Sequence, residues 1–177
     1  MNHFYNADEW EYTTLLKQHH ASLVQEFDQW LPAQWIQNAE HKIDQKGTWH
    51  FVPFLTRGKT VEYFLHQCPT VQKIMQTVPI FDNCTFSIMG PGAVIKQHQG
   101  HGNQHLRVHL GIRTSGKAWI CVGDQTQHWS NGEVLIFQDS ETHCVENPDT
   151  DYRVVLLFDI RRSDYFNHRL NYIEDTL

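Results

Sequence analysis

Between Ala7 and about Trp35 the apolar side chains Trp10, Leu15, Leu16, Leu23, Phe27 and Leu31 recur every three to four positions among polar neighbours. That spacing draws one stripe along a helix surface, so the segment predicts one or two amphipathic helices. Pro32 lacks an N–H and can start or break a helix but not sit inside one. After the turn residues Lys46 and Gly47, the cluster Trp49, Phe51, Phe54 and Leu55 runs into Arg57-Gly58-Lys59, which predicts a strand ending in a hairpin. Pro69 to Met75 predicts a short helix with proline in its first turn.

From Phe81 onward the pattern turns to β. Cys84–Met89, Ala93–Lys96, Leu106–Ile112, Ala118–Val122, Glu133–Phe137 and Tyr152–Phe158 are rich in Val, Ile, Leu and aromatics, and Gly- or Pro-containing turns separate them. Short strands at roughly ten-residue spacing predict a sandwich or a barrel, of which the jelly roll is one form. In 105–112 the alternation is strict: Leu106, Val108, Leu110 and Ile112 share one face, and His105, Arg107 and His109 share the other. On an ordinary sandwich strand that polar face meets solvent. In a ligand-binding barrel Arg107 and His109 point together into the mouth, and the strand alone leaves both readings open.

A chain of 177 residues fits one domain. We divide it into a helical N-terminal segment (1–45), a β core (46–164) and a C-terminal tail (165–177). Fourteen Lys and Arg against twenty Asp and Glu give a net charge of −6, and no basic cluster exceeds Arg161-Arg162, so nucleic acid and anionic membrane are poor partners. The opening Met-Asn-His-Phe-Tyr-Asn-Ala-Asp lacks the basic and then apolar pattern of a secretory signal. No run approaches the ~18 apolar residues of a membrane span, and a cytoplasmic location is the default expectation. Cys68, Cys84, Cys121 and Cys144 form no CxxC pair and read as reduced, mostly buried thiols.

Thirteen histidines stand out, because imidazole is the commonest protein metal ligand. A non-haem iron site places a carboxylate two residues after its first histidine; after His98 that position is Gly100. On spacing alone His98, His101, His105 and His109 also fit one helical face, although Gly100, Gly102 and Asn103 disfavour such a helix. A second cluster, Asp139-Ser-Glu-Thr-His143, follows the strand ending at Phe137, and Arg153 lies ten residues beyond it. A loop histidine followed by a strand arginine repeats the His98 and Arg107 arrangement.

These motifs together resemble the aspartyl/asparaginyl β-hydroxylases, oxygenases that use iron(II) and 2-oxoglutarate. The likeness covers roughly Lys46 to Asp164. It is densest in Ser87-Ile-Met-Gly-Pro-Gly, in His98-x-Gly through Leu106-Arg-Val-His-Leu-Gly111, in Trp129-x-x-Gly-Glu-Val-Leu-Ile-Phe-Gln-Asp139-Ser, in His143 and in Arg153. Lys46-Gly-Thr-Trp49 and Cys68-Pro69 match as well.

The resemblance implies a mainly β fold, a double-stranded β-helix (a jelly-roll, cupin-like barrel) with the N-terminal α-helices packed on it. It implies iron held by His98 and His143, with glycine in place of the usual carboxylate, so Gly100 is expected. Asp139, as in that family, is taken to hold a metal-bound water. Ser87, Arg107, His109 and Arg153 are implied to bind 2-oxoglutarate, whose distal carboxylate suits a planar guanidinium. The dication with two neutral imidazoles balances the dianionic cosubstrate. The implied reaction consumes O2, releases succinate and CO2, and hydroxylates an unactivated C–H bond, by family analogy the β-carbon of an Asp or Asn residue or an Asp-derived small molecule. The acceptor is accordingly a peptide, an amino acid or another small molecule. Two alternatives remain: the same chemistry on an acyl chain or natural-product precursor, and a jelly-roll metal sensor without turnover. Trp10, Trp30, Trp35 and Trp49 are candidates for a peptide groove, though aromatics at helical spacing more often build core.

Overall fold

The computed structural model describes residues 3–170 except 41, 45 and 101. His101 and residues 171–177 of the tail therefore lie outside the described residues.

The apolar stripe of the N-terminal segment folds as α1 (Thr13–Gln18) and α2 (His20–Asp28), burying Leu16, Leu23 and Phe27. Pro32 opens a single 3-10 turn after them. The segment is not purely helical, because β1 (Phe4–Tyr5) and β2 (Ile36–Gln37) add edge strands to the sheet that follows. β3 (Trp49–Thr56) and β4 (Lys59–Thr60) form the predicted hairpin. α3 (Glu62–Leu65) and α4 (Pro69–Thr77) come next, the latter with proline in its first turn.

β5 (Ile80–Met89), β6 (Val94–His98), β7 (His105–Arg113), β8 (Trp119–Val122), β9 (Gln125–His128), β10 (Val134–Gln138), β11 (His143–Glu146) and β12 (Arg153–Arg161) complete the β region. α5 (Arg162–Asn167) carries regular structure into the segment expected as a tail. β9 escaped the hydrophobic pattern because all four of its residues are polar, and pairing with β8 makes it a strand. His143 was expected in a loop. It begins β11, where ladders to β6 and β8 on either side fix its backbone.

Two sheets result, ordered β1-β10-β7-β12-β5-β3-β2 (with β4 on β3) and β6-β11-β8-β9. They face each other without closing into a continuous barrel, since no described ladder joins one to the other. The larger sheet has apolar packing on both sides. One cluster packs Leu16, Leu23 and Phe27 of the helices on Phe86, Val108, Leu110, Leu156 and Phe158. The other fills the space between sheets with Ile95, Ile120 and Val122 against Phe137, Val155 and Leu157. The polar face of β7 is thus interior: Leu106, Val108, Leu110 and Ile112 meet the helix layer, and Arg107 and His109 look toward the smaller sheet.

Candidate active site between the two sheets

His98 closes β6, His143 opens β11, and the two are direct cross-strand partners. Their ring centroids are 4.2 Å apart. Each ring is anchored through Nδ1 to the carbonyl two residues upstream, His98 to Lys96 at 2.7 Å and His143 to Glu141 at 2.8 Å. A carbonyl only accepts, so in the neutral form of each ring Nδ1 carries the proton and Nε2 keeps a lone pair that could hold a metal. Burial, and after it the neighbouring His98, pushes His143 down to about 4, so the ring is neutral near pH 7. No group of three or more His, Cys, Asp or Glu side chains poised for a metal occurs among the described residues. A site here rests on this pair.

Position 100 has no room for a side chain. A Cβ built at position 100 would lie 1.6 Å from Asp139 Oδ2 and 2.2 Å from its Cγ, so the Asp139 carboxylate fills the volume of the absent side chain. The Gly100 N–H donates to the Asp139 carbonyl at 2.9 Å, which holds the two segments in that register. Asp139 is 3 % exposed, its Oδ1 is 3.8 Å from His143 Nε2, and Arg107 Nη1 lies 2.8 Å from the same oxygen. That last contact has the distance of an ion pair without the angle of a hydrogen bond, so Oδ1 keeps accepting capacity.

Arg107 is shared between carboxylates. Its Nε donates to Asp159 Oδ1 at 3.0 Å, and Asn83 Nδ2 donates to Asp159 Oδ2 at 2.7 Å. Asp159 is the cross-strand partner of Arg107 and was missed at the sequence level. Its signal was its parity with Arg153 on β12, which puts both on the inner face.

Arg153 differs. It is 3 % exposed, its Nη1 donates to the Ser87 carbonyl at 3.3 Å, its guanidinium lies 4.6 Å from the Trp129 ring centre, and its Nε has no partner among the described residues. Burial without a counter-anion pushes it down to about 9. His109, 4 % exposed, accepts at Nδ1 from Trp129 Nε1 at 3.2 Å. Indole N–H is only a donor, so the proton of His109 sits on Nε2, which is buried and unpartnered. Ser87 Oγ accepts from Trp49 Nε1 at 2.9 Å and keeps its own O–H to donate. Buried Asp44, also missed, orients Trp49 by accepting from the Thr48 and Trp49 N–H groups at 3.2 and 3.0 Å.

Ser87, His98, Arg107, His109, His143 and Arg153 all line one cavity between the sheets, and Trp49 stands at its side. Asp139 borders the adjoining open cleft with His98 and Arg107. Trp10 and Trp30 are buried in the core, so of the four tryptophans considered for a groove Trp49 is the one at the site. His105 packs edge-on to Phe81 with ring centres 4.7 Å apart.

The family model described as aspartyl/asparaginyl beta-hydroxylase matches residues 17–163. The aspartate beta-hydroxylase domain-containing protein 2 of Xenopus tropicalis is 28 % identical over 163 residues, covering 82 % of this chain and 43 % of that protein. The ornithine lipid ester-linked acyl 2-hydroxylase of Rhizobium tropici is 34 % identical over 63 % of this chain and 41 % of that protein. The chain thus spans less than half the length of these relatives. Among solved structures, a prolyl-4-hydroxylase from Pseudomonas putida superposes with a TM-score of 0.52 at 15 % identity, over 84 % of this chain and 87 % of the other, a likeness of fold. With the family's motifs gathered at one cavity and its model matched across most of the sequence, this chain belongs to the aspartyl/asparaginyl β-hydroxylase family.

Proposed function

We propose that this chain is an iron(II)- and 2-oxoglutarate-dependent dioxygenase that hydroxylates an unactivated C–H bond. The observation that carries the reading is the Arg153 guanidinium, buried with no described carboxylate beside it, in a cavity that also holds an unpaired His109 N–H. A buried cation without a partner is costly, and an anionic ligand offsets that cost. The donor set fits the two groups. His98 and His143 offer unprotonated Nε2 atoms to iron, with Asp139 beside them. Arg153 and Ser87 suit the distal carboxylate of 2-oxoglutarate, and His109 and the remaining N–H groups of Arg107 suit its other oxygens. Charge agrees: Arg107 and Arg153 against Asp139 and Asp159 sum to zero, so a dication and a dianion enter together without net charge. Bound iron, 2-oxoglutarate and O2 supply the oxidative decarboxylation to succinate and CO2 that powers hydroxylation. The protein holds these reactants, fixes both histidine tautomers and shields the cavity from water.

The family's description points to the β-carbon of an Asp or Asn residue as the acceptor. The cleft supports a second reading. A space of about 470 Å³ beside the site is walled by Ile36, Phe51, Pro53, Leu55 and Leu157, with the buried Asn38 amide nitrogen unpartnered along it. Those surfaces suit an acyl chain bearing a carbonyl, and the Rhizobium relative is by name an acyl hydroxylase.

Titrating 2-oxoglutarate anaerobically into iron-loaded protein tests the core of the reading. Arg153→Ala is expected to cost ~3 to 5 kcal/mol, about two to four orders of magnitude in affinity. Equal affinity in both proteins contradicts the assignment. Mass spectrometry for a +16 shift across peptides and acyl compounds then separates the acceptors, and absence of succinate under all conditions would favour the metal sensor.

A further inference from the structure

Four cysteines are free, and they fall into two classes. Cys68 and Cys84 are fully buried, and burial raises both thiols, Cys68 to about 12. Cys121 on β8 and Cys144 on β11 are partly exposed. They are also direct partners across an antiparallel ladder, in the register His143–Val122, Cys144–Cys121, Val145–Ile120. Since His143, Val145, Ile120 and Val122 point inward, strand alternation puts both thiols on the outer face of the smaller sheet. Directly opposed residues of an antiparallel pair have Cα atoms about 4.5 to 5.5 Å apart, inside the roughly 4.4 to 6.8 Å that a disulfide accepts. The register thus places the two thiols within the backbone spacing that a disulfide spans.

We propose that Cys121 and Cys144 are a peroxide-sensitive redox site whose disulfide clamps β11, the strand that opens with His143, to β8. One thiolate attacks a peroxide oxygen, the O–O bond breaks, and a sulfenic acid forms with release of one water from hydrogen peroxide. The second thiol then attacks that sulfur and expels a second water. Two S–H bonds are exchanged for one S–S bond, and the two electrons reduce the peroxide. On the other side of β11 the ladder to β6 is irregular between His143 and Val145, facing the segment that ends at His98. The clamp therefore acts on a strand held regularly from one side only. Its effect on metal binding rests on the histidine pair proposed above, whereas disulfide formation does not.

The test treats the full chain with equimolar hydrogen peroxide, then measures intact mass, native thiol count and cobalt(II) binding by its visible spectrum. Expected are a loss of 2 Da, a fall from two reactive thiols to none, recovery with dithiothreitol, and cobalt affinity lower by threefold or more in the oxidised form. Cys121→Ser and Cys144→Ser should each gain oxygen mass without the 2 Da loss, and their cobalt affinity should resist peroxide. Intermolecular dimers, a linkage through Cys68 or Cys84, or no mass change would overturn the redox site. A disulfide formed with unchanged cobalt affinity would overturn the clamp. Failure of the reduced protein to bind cobalt would instead count against the histidine pair, and the mass result would still decide the disulfide.

Discussion

Along β12, Val154, Leu156, Phe158 and Ile160 face the helices, whereas Arg153 and Asp159 face the smaller sheet, and both sets are buried. β5 and β7 divide in the same way, with Phe86 against Ser87 and Val108 against His109. These inward- and helix-facing residues are alike in burial, although Arg107 and Trp49 on the inner side are half-buried, and their chemistry differs. The helix-facing side is apolar and closely packed; the inner side keeps a guanidinium, an imidazole N–H and a carboxylate oxygen short of partners. One layer supplies folding energy, and the other spends part of it to stay receptive to ions.

The sharpest way to break this contrast is Phe86→Ala. Phe86 is fully buried, with the Phe27 and Phe54 rings 5.5 and 5.1 Å away, so truncation is expected to cost ~3 to 5 kcal/mol. At this chain length that lowers Tm by roughly 6 to 20 °C, while the folded fraction should bind 2-oxoglutarate as before; a matching loss of affinity would show that the two layers are not separable. Gly100→Ala should act oppositely. Its methyl group displaces the Asp139 carboxylate, so metal affinity should fall about 10- to 100-fold, against a stability loss of ~1 to 3 kcal/mol. Equilibrium dialysis with iron(II) or cobalt(II) and a melting curve would separate the two effects.

The smallest effect concerns pH. His109 is held well below its ordinary value, by burial first and then by Arg153. Below about pH 6.5 the unfolded chain takes up a proton on this residue that the folded chain refuses, so its contribution is complete above that pH. It is lost as pH falls toward the depressed folded value, by at most ~1.4 kcal/mol per pH unit. Urea melts of metal-free protein between pH 7.5 and 5.0 should show the decline, to which His143, pushed down to about 4, adds its own share, and His109→Gln should make it shallower without abolishing it.

The alternation in 105–112 made two faces of β7 readable from sequence, yet period two cannot say which face meets water. Only the second sheet, laid over Arg107 and His109, decides that. The helices of 13–28 and strands such as β5, β7, β10 and β12 were legible because each buries a repeating apolar set. β9 and β11 were not, since Gln-Thr-Gln-His carries no apolar position and His143–Glu146 is four residues long after a polar loop. Among site residues, motifs named His98, His143 and Arg153. Asp159 and Asp44 had no motif, and they matter because of what lies opposite them across a ladder or a turn.

Asp139 and His143 are four positions apart, yet the first directly follows β10 of the larger sheet and the second opens β11 of the smaller. The histidine pair thus rides entirely on the smaller sheet, while Ser87, His109 and Arg153 ride on the larger. On the proposed reading, an anion that spanned from metal to guanidinium would be a strut across the gap between the layers. Its arrival should slow amide exchange in both sheets at once.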